Sequence, residues 1–498
     1  MAQISVSLVS HTNAGKTTLA RTLLGRDVGE VRDAAHVTEF AEAHTLVETP
    51  QGDSLVLWDT PGFGDSVRLV QRLRQSANPM GWFMSAVWDR WRDRPFWASQ
   101  QAVRNVRDEA DVMLYLVNAA EQPEAAGYVQ PEMELLGWIG KPVIVLLNQL
   151  GPPREPAIEA AERARWQQHL AAHRCVVAVL PLDAFARCWV QEITLLRAIE
   201  RALAGEAGEL RELRERMARL RAAWQAQRMA TFDAAMQAIA ASLARTATAA
   251  RAVPQAASFT QGLVERARHI GVRLGLGRDG EAPLAQAQRA LAEALADEVR
   301  ENTRTLIRLH GLKGDAQAEI TARIATQFAL RLRMDESRAA LWGGAVTGAL
   351  AGLKADLATG GLTLGGGLLA GGLLGALGAA GMARCVNLVR GTDRSWLTWN
   401  AEALDQITEA ALLRYLAVAH FGRGRGDWVA GESPPHWAAD VQAALAPHRP
   451  ALATAWASHV AGSADASAAQ RIADALQPVL ANATLAVLAR SYPDSGVA

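Results

Sequence analysis

The sequence predicts an α/β domain built on a mainly parallel sheet, followed by an all-α region that contains a Gly-rich, hydrophobic helical hairpin. Three observations carry this prediction. Over residues 1–195, short β-branched runs alternate with helical stretches, the pattern of strands joined by crossover helices. Beyond Leu195 the alternation stops, and Ala, Leu, Arg, Glu and Gln dominate. Within this second part, residues 357–383 are 27 consecutive uncharged residues, ten of them glycine.

Composition narrows the function classes. The 498 residues suit several domains of about 150 residues each. Half the residues are hydrophobic, and 51 Lys+Arg balance 51 Asp+Glu, which excludes a disordered chain and a strongly basic nucleic-acid binder. No sequence-specific DNA binding is expected. Cys175, Cys188 and Cys385 lie far apart without metal or redox spacing, which suits a reducing compartment. The first residues lack the basic and apolar blocks of a secretory signal, so a cytoplasmic location is expected.

In chain order, the predicted strands are Ile4 to Val9, Ser54 to Trp58, Val112 to Val117, Val143 to Leu147 and Val176 to Leu180. Four regions follow from the pattern: an α/β domain over 1–195, an amphipathic, coiled-coil-like helical region over 196–335, the apolar hairpin over 336–390 and a C-terminal helical cap over 391–498. In the second region, Leu210, Leu213, Met217, Leu220 and Trp224 follow 3-4 spacing, and Met229, Phe232, Met236, Ile239 and Leu243 repeat it after a five-residue step. This spacing predicts one long amphipathic helix with a phase shift, packed in an intramolecular bundle or paired with a second copy. Pro254 and Gly271 to Gly280 break the helices, and a further amphipathic block runs from Leu284 to Met334.

The hairpin is predicted from two uncharged runs, Ala339 to Leu353 and Leu357 to Ala383, with a turn at Thr359-Gly360-Gly361. Gly344, Gly348 and Gly352 line one face of the first arm, and Gly367, Gly371 and Gly375 line the second, as in glycine-zipper helix pairs. A 27-residue helix reaches about 40 Å against a hydrocarbon core of about 30 Å. Residues 339–383 are therefore expected to meet a membrane at its inner face, or else to be buried as a soluble hairpin. The cap carries Trp396, Trp399, Trp428, Trp437 and Trp456, and Phe421 to Gly426 reads as an exposed basic connector.

The chemistry is concentrated near the start of the chain. Ser10-His-Thr-Asn-Ala-Gly-Lys-Thr17 follows a strand and precedes a helix, the context of a phosphate-binding loop. The amides of Asn13, Ala14, Gly15, Lys16, Thr17 and Thr18 can turn inward on a β-phosphate at a helix N-terminus. Lys16 would bridge the β- and γ-phosphates, and Thr17 would offer its hydroxyl to Mg²⁺. Ser10 stands where the pattern has its first glycine. Downstream, Asp59-Thr-Pro-Gly62 closes an apolar strand, so Asp59 can hold Mg²⁺ and the Gly62 amide can reach the γ-phosphate. Thr38 is the candidate switch threonine, touching both metal and γ-phosphate. Lys16, Thr38 and Gly62 are the candidate catalytic residues, and Thr17, Thr38 and Asp59 the candidate metal ligands.

The run Asn13-Ala-Gly-Lys-Thr-Thr-Leu19 with Asp59-Thr-Pro-Gly62 resembles the translation-factor-related P-loop GTPases of the Era and TrmE type. The layout of this domain followed by a helical tail with a Gly-rich hairpin resembles a bacterial family whose tail is a domain of unknown function. The resemblance implies a P-loop GTPase domain that binds GTP and GDP, and hydrolyses GTP with Mg²⁺. In such GTPases the base is read by Asn-Lys-x-Asp; here Asn148-Gln-Leu-Gly151 keeps Asn148 but lacks the lysine and the aspartate, which leaves selection of GTP over ATP open. Asp183, at the end of the next strand, is a candidate substitute. Phe63 stands where Ras-like proteins orient water with glutamine. By the TrmE resemblance, Asn13 binds a K⁺ ion that supplies the missing positive charge.

Between Pro79 and Trp97, Trp82, Phe83, Trp88, Trp91, Phe96 and Trp97 alternate with Arg90, Arg92 and Arg94, which suits a partner or membrane surface, or else a helix packed on the chain itself. His169 and His173 lie four apart near Cys175 without a third ligand at metal spacing. The expected function is a nucleotide-dependent switch whose helical tail engages a membrane or an unknown protein partner, with self-association included. Two alternatives stand beside it: a nucleotide-sensing scaffold with little hydrolysis, and a dynamin-like membrane remodeller.

Overall fold

The structure is a computed structural model that describes residues 2–25, 41–64, 66–75, 78, 81, 94–151, 153–184, 188–203, 208–254, 283–312, 386–390, 394–421, 434, 436–458 and 467–496. The chain divides into two compact units. One comprises Met1–Phe232, Ala419–Trp428 and Leu488–Ala498; the other comprises Asp233–Val418 and Val429–Val487.

The first unit is an α/β domain. In order it holds β1 (Ala2–Ser10), α1 (Lys16–Leu24), β2 (Glu42–Glu48), β3 (Asp53–Asp59), α2 (Ser66–Leu73), α3 (Arg94–Asp108), β4 (Val112–Asn118), α4 (Val129–Ile139), β5 (Val143–Asn148), α5 (Pro156–Leu170), β6 (Val176–Pro181) and α6 (Trp189–Ala202). All five predicted strands are present. They form one sheet of order β2-β3-β1-β4-β5-β6, parallel except for β2, which pairs antiparallel with β3 at the edge. The sequence reading did not include β2. Its burial pattern is mostly exposed, so it lacks the continuous apolar signature that marks β4 and β5.

Both faces of the sheet are covered. One core layer joins Ile4, Val6, Leu8, Leu55 and Leu57 to Leu19 of α1 and Leu196 of α6; the other joins Val9, Tyr115, Val145 and Leu147 to Phe96, Leu136 and Trp166. Phe96, from the aromatic run, is buried in this core, and the guanidinium groups of Arg68 and Arg72 lie 5.3 Å from its ring centroid. Trp97 beside it is half-buried, and Trp82, Phe83, Trp88 and Trp91 lie outside the described residues, as does Thr38.

The predicted long helix is α7 (Glu209–Thr248), a single helix of 40 residues. Met217, Leu220 and Trp224 are buried in the first unit against the layer that includes Leu196. Phe232, Met236, Ile239 and Leu243 are buried as well, so both apolar runs, before and after the phase shift, face a core. Leu210, at the exposed start of the helix, is not buried.

The second unit is mainly helical, with α8 (Pro283–Leu309), α9 (Ala401–Ala419), α10 (His436–Leu445), α11 (Arg449–Ala457) and α12 (Ala468–Ser491). It also contains a three-stranded antiparallel sheet, β7 (Ala250–Pro254), β8 (Val386–Arg390) and β9 (Arg394–Trp399), in the order β7-β9-β8. This sheet departs from the all-helical expectation. Trp396 and Trp399, read as part of a helical cap, lie on its central strand. Its pairing spans more than a hundred residues of chain, which no local pattern announces.

Among the described residues, α12 is the one helix long and apolar enough to cross a membrane. Its Ile472, Leu476, Leu480 and Ala483 are fully buried, and Thr484 lies 3.5 Å from the Met236 sulfur, as a helix in a protein core does. The glycine-rich segment 339–383 lies outside the described residues.

Candidate nucleotide-binding site

The site lies at the carboxyl ends of β1 and β3, where a sheet of this type opens a crevice. The chain leaves β1 at Ser10 and enters α1 at Lys16, with Asn13 at φ 64° and Gly15 at φ 91° giving the loop its left-handed turns. A Cβ on Gly15 would stand 2.8 Å from the Asn148 amide nitrogen, so glycine is required there for space as well as for φ. Asn13 is exposed at the loop tip, and Ala14 and Thr18 are buried beneath it.

Ser10 has a function that the missing glycine concealed. Its hydroxyl accepts a hydrogen bond from Lys16 Nζ at 2.9 Å and donates to the His11 carbonyl at 2.6 Å. Lys16 is buried, and burial lowers its pKa to about 8, opposed by the nearby carboxylates of Asp59 and Glu132. The ammonium is thus dehydrated in advance of any anion it would meet.

Asp59 ends β3 and is 1% exposed. Its Oδ2 accepts the Thr17 hydroxyl at 2.6 Å, and its Oδ1 is buried with no hydrogen-bond partner. Burial raises its pKa to about 6, with the Thr17 hydrogen bond and the Lys16 charge working against the rise. A buried carboxylate oxygen without a partner, beside a threonine hydroxyl, fits a hard divalent cation such as Mg²⁺, which takes few protein ligands and completes its shell with phosphate and water.

The segment after Asp59 is clasped to the loop. Phe63 N–H donates to the Ser10 carbonyl at 2.9 Å, and Thr12 N–H donates to the Phe63 carbonyl at 3.2 Å. Gly62 passes so close that a Cβ would lie 2.9 Å from Thr12 Cα and 3.0 Å from Lys16 Nζ. The Phe63 ring is fully buried in the core and does not face the crevice.

Asn148, predicted at the base, is fully buried. Its Nδ2 donates to the Ala14 carbonyl at 2.8 Å, and its Oδ1 accepts the Ala184 N–H at 2.9 Å, so it fastens the phosphate loop to the loop after β6. The structure therefore brings together Asn13 to Thr18, Asp59, Gly62 and Asn148.

Glu132 was missed by sequence reasoning. It is completely buried, accepts the Tyr115 hydroxyl at 2.7 Å and pairs with His11 Nδ1 at 2.8 Å, while the His11 ring stacks on Tyr128 at 4.7 Å. One more glutamate on an amphipathic helix gives no local sign that it will face the core. Among the described residues, Cys175 and Cys188 form no disulfide, His173 contacts Gln130, and no group of three metal-binding side chains occurs.

Comparison with known families decides the assignment. Residues 5–149 match the family described as 50S ribosome-binding GTPase, and residues 169–481, more than half of the chain, match the family described as Domain of unknown function (DUF3482). The chain belongs to the DUF3482 family. The stretch 5–149 is a GTP-binding P-loop GTPase domain, and the DUF3482 match begins at residue 169, inside the first unit. No curated protein matches the chain.

Solved structures similar to this DUF3482 protein include Aquifex aeolicus Era bound to GDP.AlF4⁻, at 21% identity over 37% of this chain and 52% of that one, with a TM-score of 0.27. Another is Era in complex with MgGDPNP and a 16S ribosomal RNA fragment, at 21% identity over 37% and 51%, with a TM-score of 0.26. A third is a bacterial selenocysteine-specific elongation factor, at 13% identity over 44% and 29%, with a TM-score of 0.25. The chain spans about half the length of the two Era structures.

Proposed function

We propose that the N-terminal domain binds GTP with Mg²⁺, hydrolyses it to GDP, and uses the two nucleotide states to switch what the DUF3482 domain engages. The observation that carries this reading is the pair formed by Asp59 and Thr17, with Asp59 Oδ1 buried and unpartnered next to the Lys16 ammonium. Mg²⁺ bound there would neutralise charge on the phosphate oxygens. Lys16 would hold the β- and γ-phosphates, and the Gly62 amide would meet the γ-phosphate. Because Phe63, next to Gly62, is bonded to the loop through Ser10 and Thr12, loss of the γ-phosphate would loosen the segment that follows. Thr38 is proposed as the switch threonine and Asn13 as a K⁺ ligand.

Single-turnover hydrolysis of GTP tests this. Product should form with Mg²⁺ and fail with EDTA or in Lys16→Ala, while absence of turnover by the wild type under every cation condition would reject the hydrolase reading. The burial of Phe63 favours a second reading, a nucleotide sensor with slow turnover, since no glutamine stands there to orient water. Replacing Na⁺ by K⁺ separates the two: a K⁺-accelerated rate supports the switch, and a flat, slow rate supports the sensor. We further propose a cytoplasmic protein whose segment 339–383 meets the membrane's inner face. Flotation with liposomes, compared between wild type and a chain with charges placed in residues 368–374, tests it; equal flotation rejects it.

A further inference from the structure

Guanine presents two adjacent donors, N1–H and the 2-amino group, and a carboxylate can accept both. This chain has glycine at 151, and Asn148 uses both ends of its side-chain amide on backbone groups. A Cβ built on Gly151 meets no atom within 4 Å, so the space that a reading side chain would occupy is open.

The carboxylate that reaches residue 151 comes from another strand. With Gly151 at φ 81°, its N–H donates to Asp183 Oδ2 at 3.1 Å. Asp183 is 3% exposed and follows β6 by two residues. Two further bonds fix the register of these loops: Leu182 N–H to the Leu147 carbonyl at 3.0 Å, and Ala184 N–H to Asn148 Oδ1 at 2.9 Å. Asp183 thus stands between two backbone clamps, one of which runs through Asn148 to the phosphate loop at Ala14.

We propose that Asp183 is the specificity-determining residue of the nucleotide site, its carboxylate accepting N1–H and the 2-amino group of guanine in place of a carboxylate at 151. The inference rests on the GTP reading above and deepens it. An ionised carboxylate has about four acceptor positions, so the bond from Gly151 is compatible with a base edge on the same group. Adenine turns an acceptor, its bare N1, toward that position and carries no 2-amino group, so a carboxylate there disfavours ATP.

The test is a competition titration of the purified full-length chain with GTP, ATP and XTP in Mg²⁺. Xanthine replaces the 2-amino donor with a carbonyl, which an asparagine amide can meet. Asp183→Asn should lose about a hundredfold or more in GTP affinity and bind XTP at least as tightly as GTP. Asp183→Ala should bind both weakly. Gly151→Asp added to Asp183→Asn should recover part of the GTP binding, because its side chain enters open space, though on a left-handed backbone that an aspartate adopts only at a cost. A gain for XTP cannot come from misfolding. Unchanged GTP affinity in Asp183→Asn overturns the inference, as does an equal loss of GTP, XTP and ATP, which would leave Asp183 a fastener of the loop. Failure of the wild type to bind any of the three would sink the GTP reading beneath it, and this inference with it.

Discussion

The side-chain amide of Asn148 donates to the carbonyl oxygen of Ala14 at 2.8 Å, which ties the end of β5 to the phosphate loop. The same side chain accepts the Ala184 N–H, so one buried residue joins three segments distant in sequence. Asn148→Ala would leave both backbone groups unpartnered away from water, at a cost of about 1–3 kcal/mol each. Thermal unfolding should show a clear fall in Tm, and titrations should show GTP and ATP weakened by a similar factor. A changed GTP-to-ATP ratio with an unchanged Tm would contradict the fastener role.

Gly62 has no room for a methyl group against the Thr12 backbone. Gly62→Ala must push the Phe63 clasp away from the loop, displacing the amide proposed to meet the γ-phosphate. Single-turnover hydrolysis should fall by about a hundredfold to a thousandfold, on the scale of losing one preorganised donor. GDP affinity should change little, because GDP has no γ-phosphate. Wild-type rates in this variant would remove Gly62 from the catalytic set.

The raised pKa of Asp59 makes a prediction about the nucleotide-free protein in EDTA. Its folded value of about 6 exceeds the usual 3.8, so the folded state binds more protons than the unfolded state between those values. The stability linked to this proton is therefore fully present below pH 3.8 and is lost as pH rises through about 6. The shift corresponds to an upper bound of roughly 3 kcal/mol. Chemical denaturation from pH 4 to 7 should show this decline in wild type, and the decline should be absent from Asp59→Asn. Parallel profiles for the two proteins would show that Asp59 titrates normally.

Within the first unit, Glu192 of α6 accepts both Trp224 Nε1 at 2.8 Å and Arg228 Nε at 2.9 Å from α7, with Arg228 also stacked 4.4 Å over the Trp224 ring. Glu192→Ala would leave a partly buried guanidinium and an indole N–H without their acceptor, at about 3 kcal/mol. Hydrogen exchange in residues 209–228 should accelerate markedly while exchange in β1 and β4 stays slow. Unchanged protection of that helix would show that apolar packing of Met217 and Leu220 suffices.

Much of the architecture was legible because it depends on local repetition. The five apolar strands each carry their own run of β-branched residues, and the two apolar phases of α7 could be read by spacing alone. Edge strand β2 and the sheet β7-β9-β8 were not legible: one has a largely exposed face, and the other pairs segments separated by more than a hundred residues. At the site, the backbone motif from Asn13 to Thr17 and its partner Asp59 were legible from residue type and order. Ser10 stands where the motif has a glycine, and its hydroxyl is an acceptor for Lys16, a role visible only once the lysine folds back over the loop.

The sequence by itself determined that a phosphate loop follows the first strand, that an aspartate closes another, and that a helical chain comes after, since each is written in contiguous residues with a fixed period. The tertiary structure alone decided which groups are dehydrated and what they face. Burial of Lys16 and Asp59, the turning of Asn148 onto backbone partners, the enclosure of Glu132 and the arrival of Asp183 at Gly151 all depend on strands brought side by side from distant parts of the chain. Desolvation and hydrogen-bond partnership are properties of that assembly, and no window of sequence contains them.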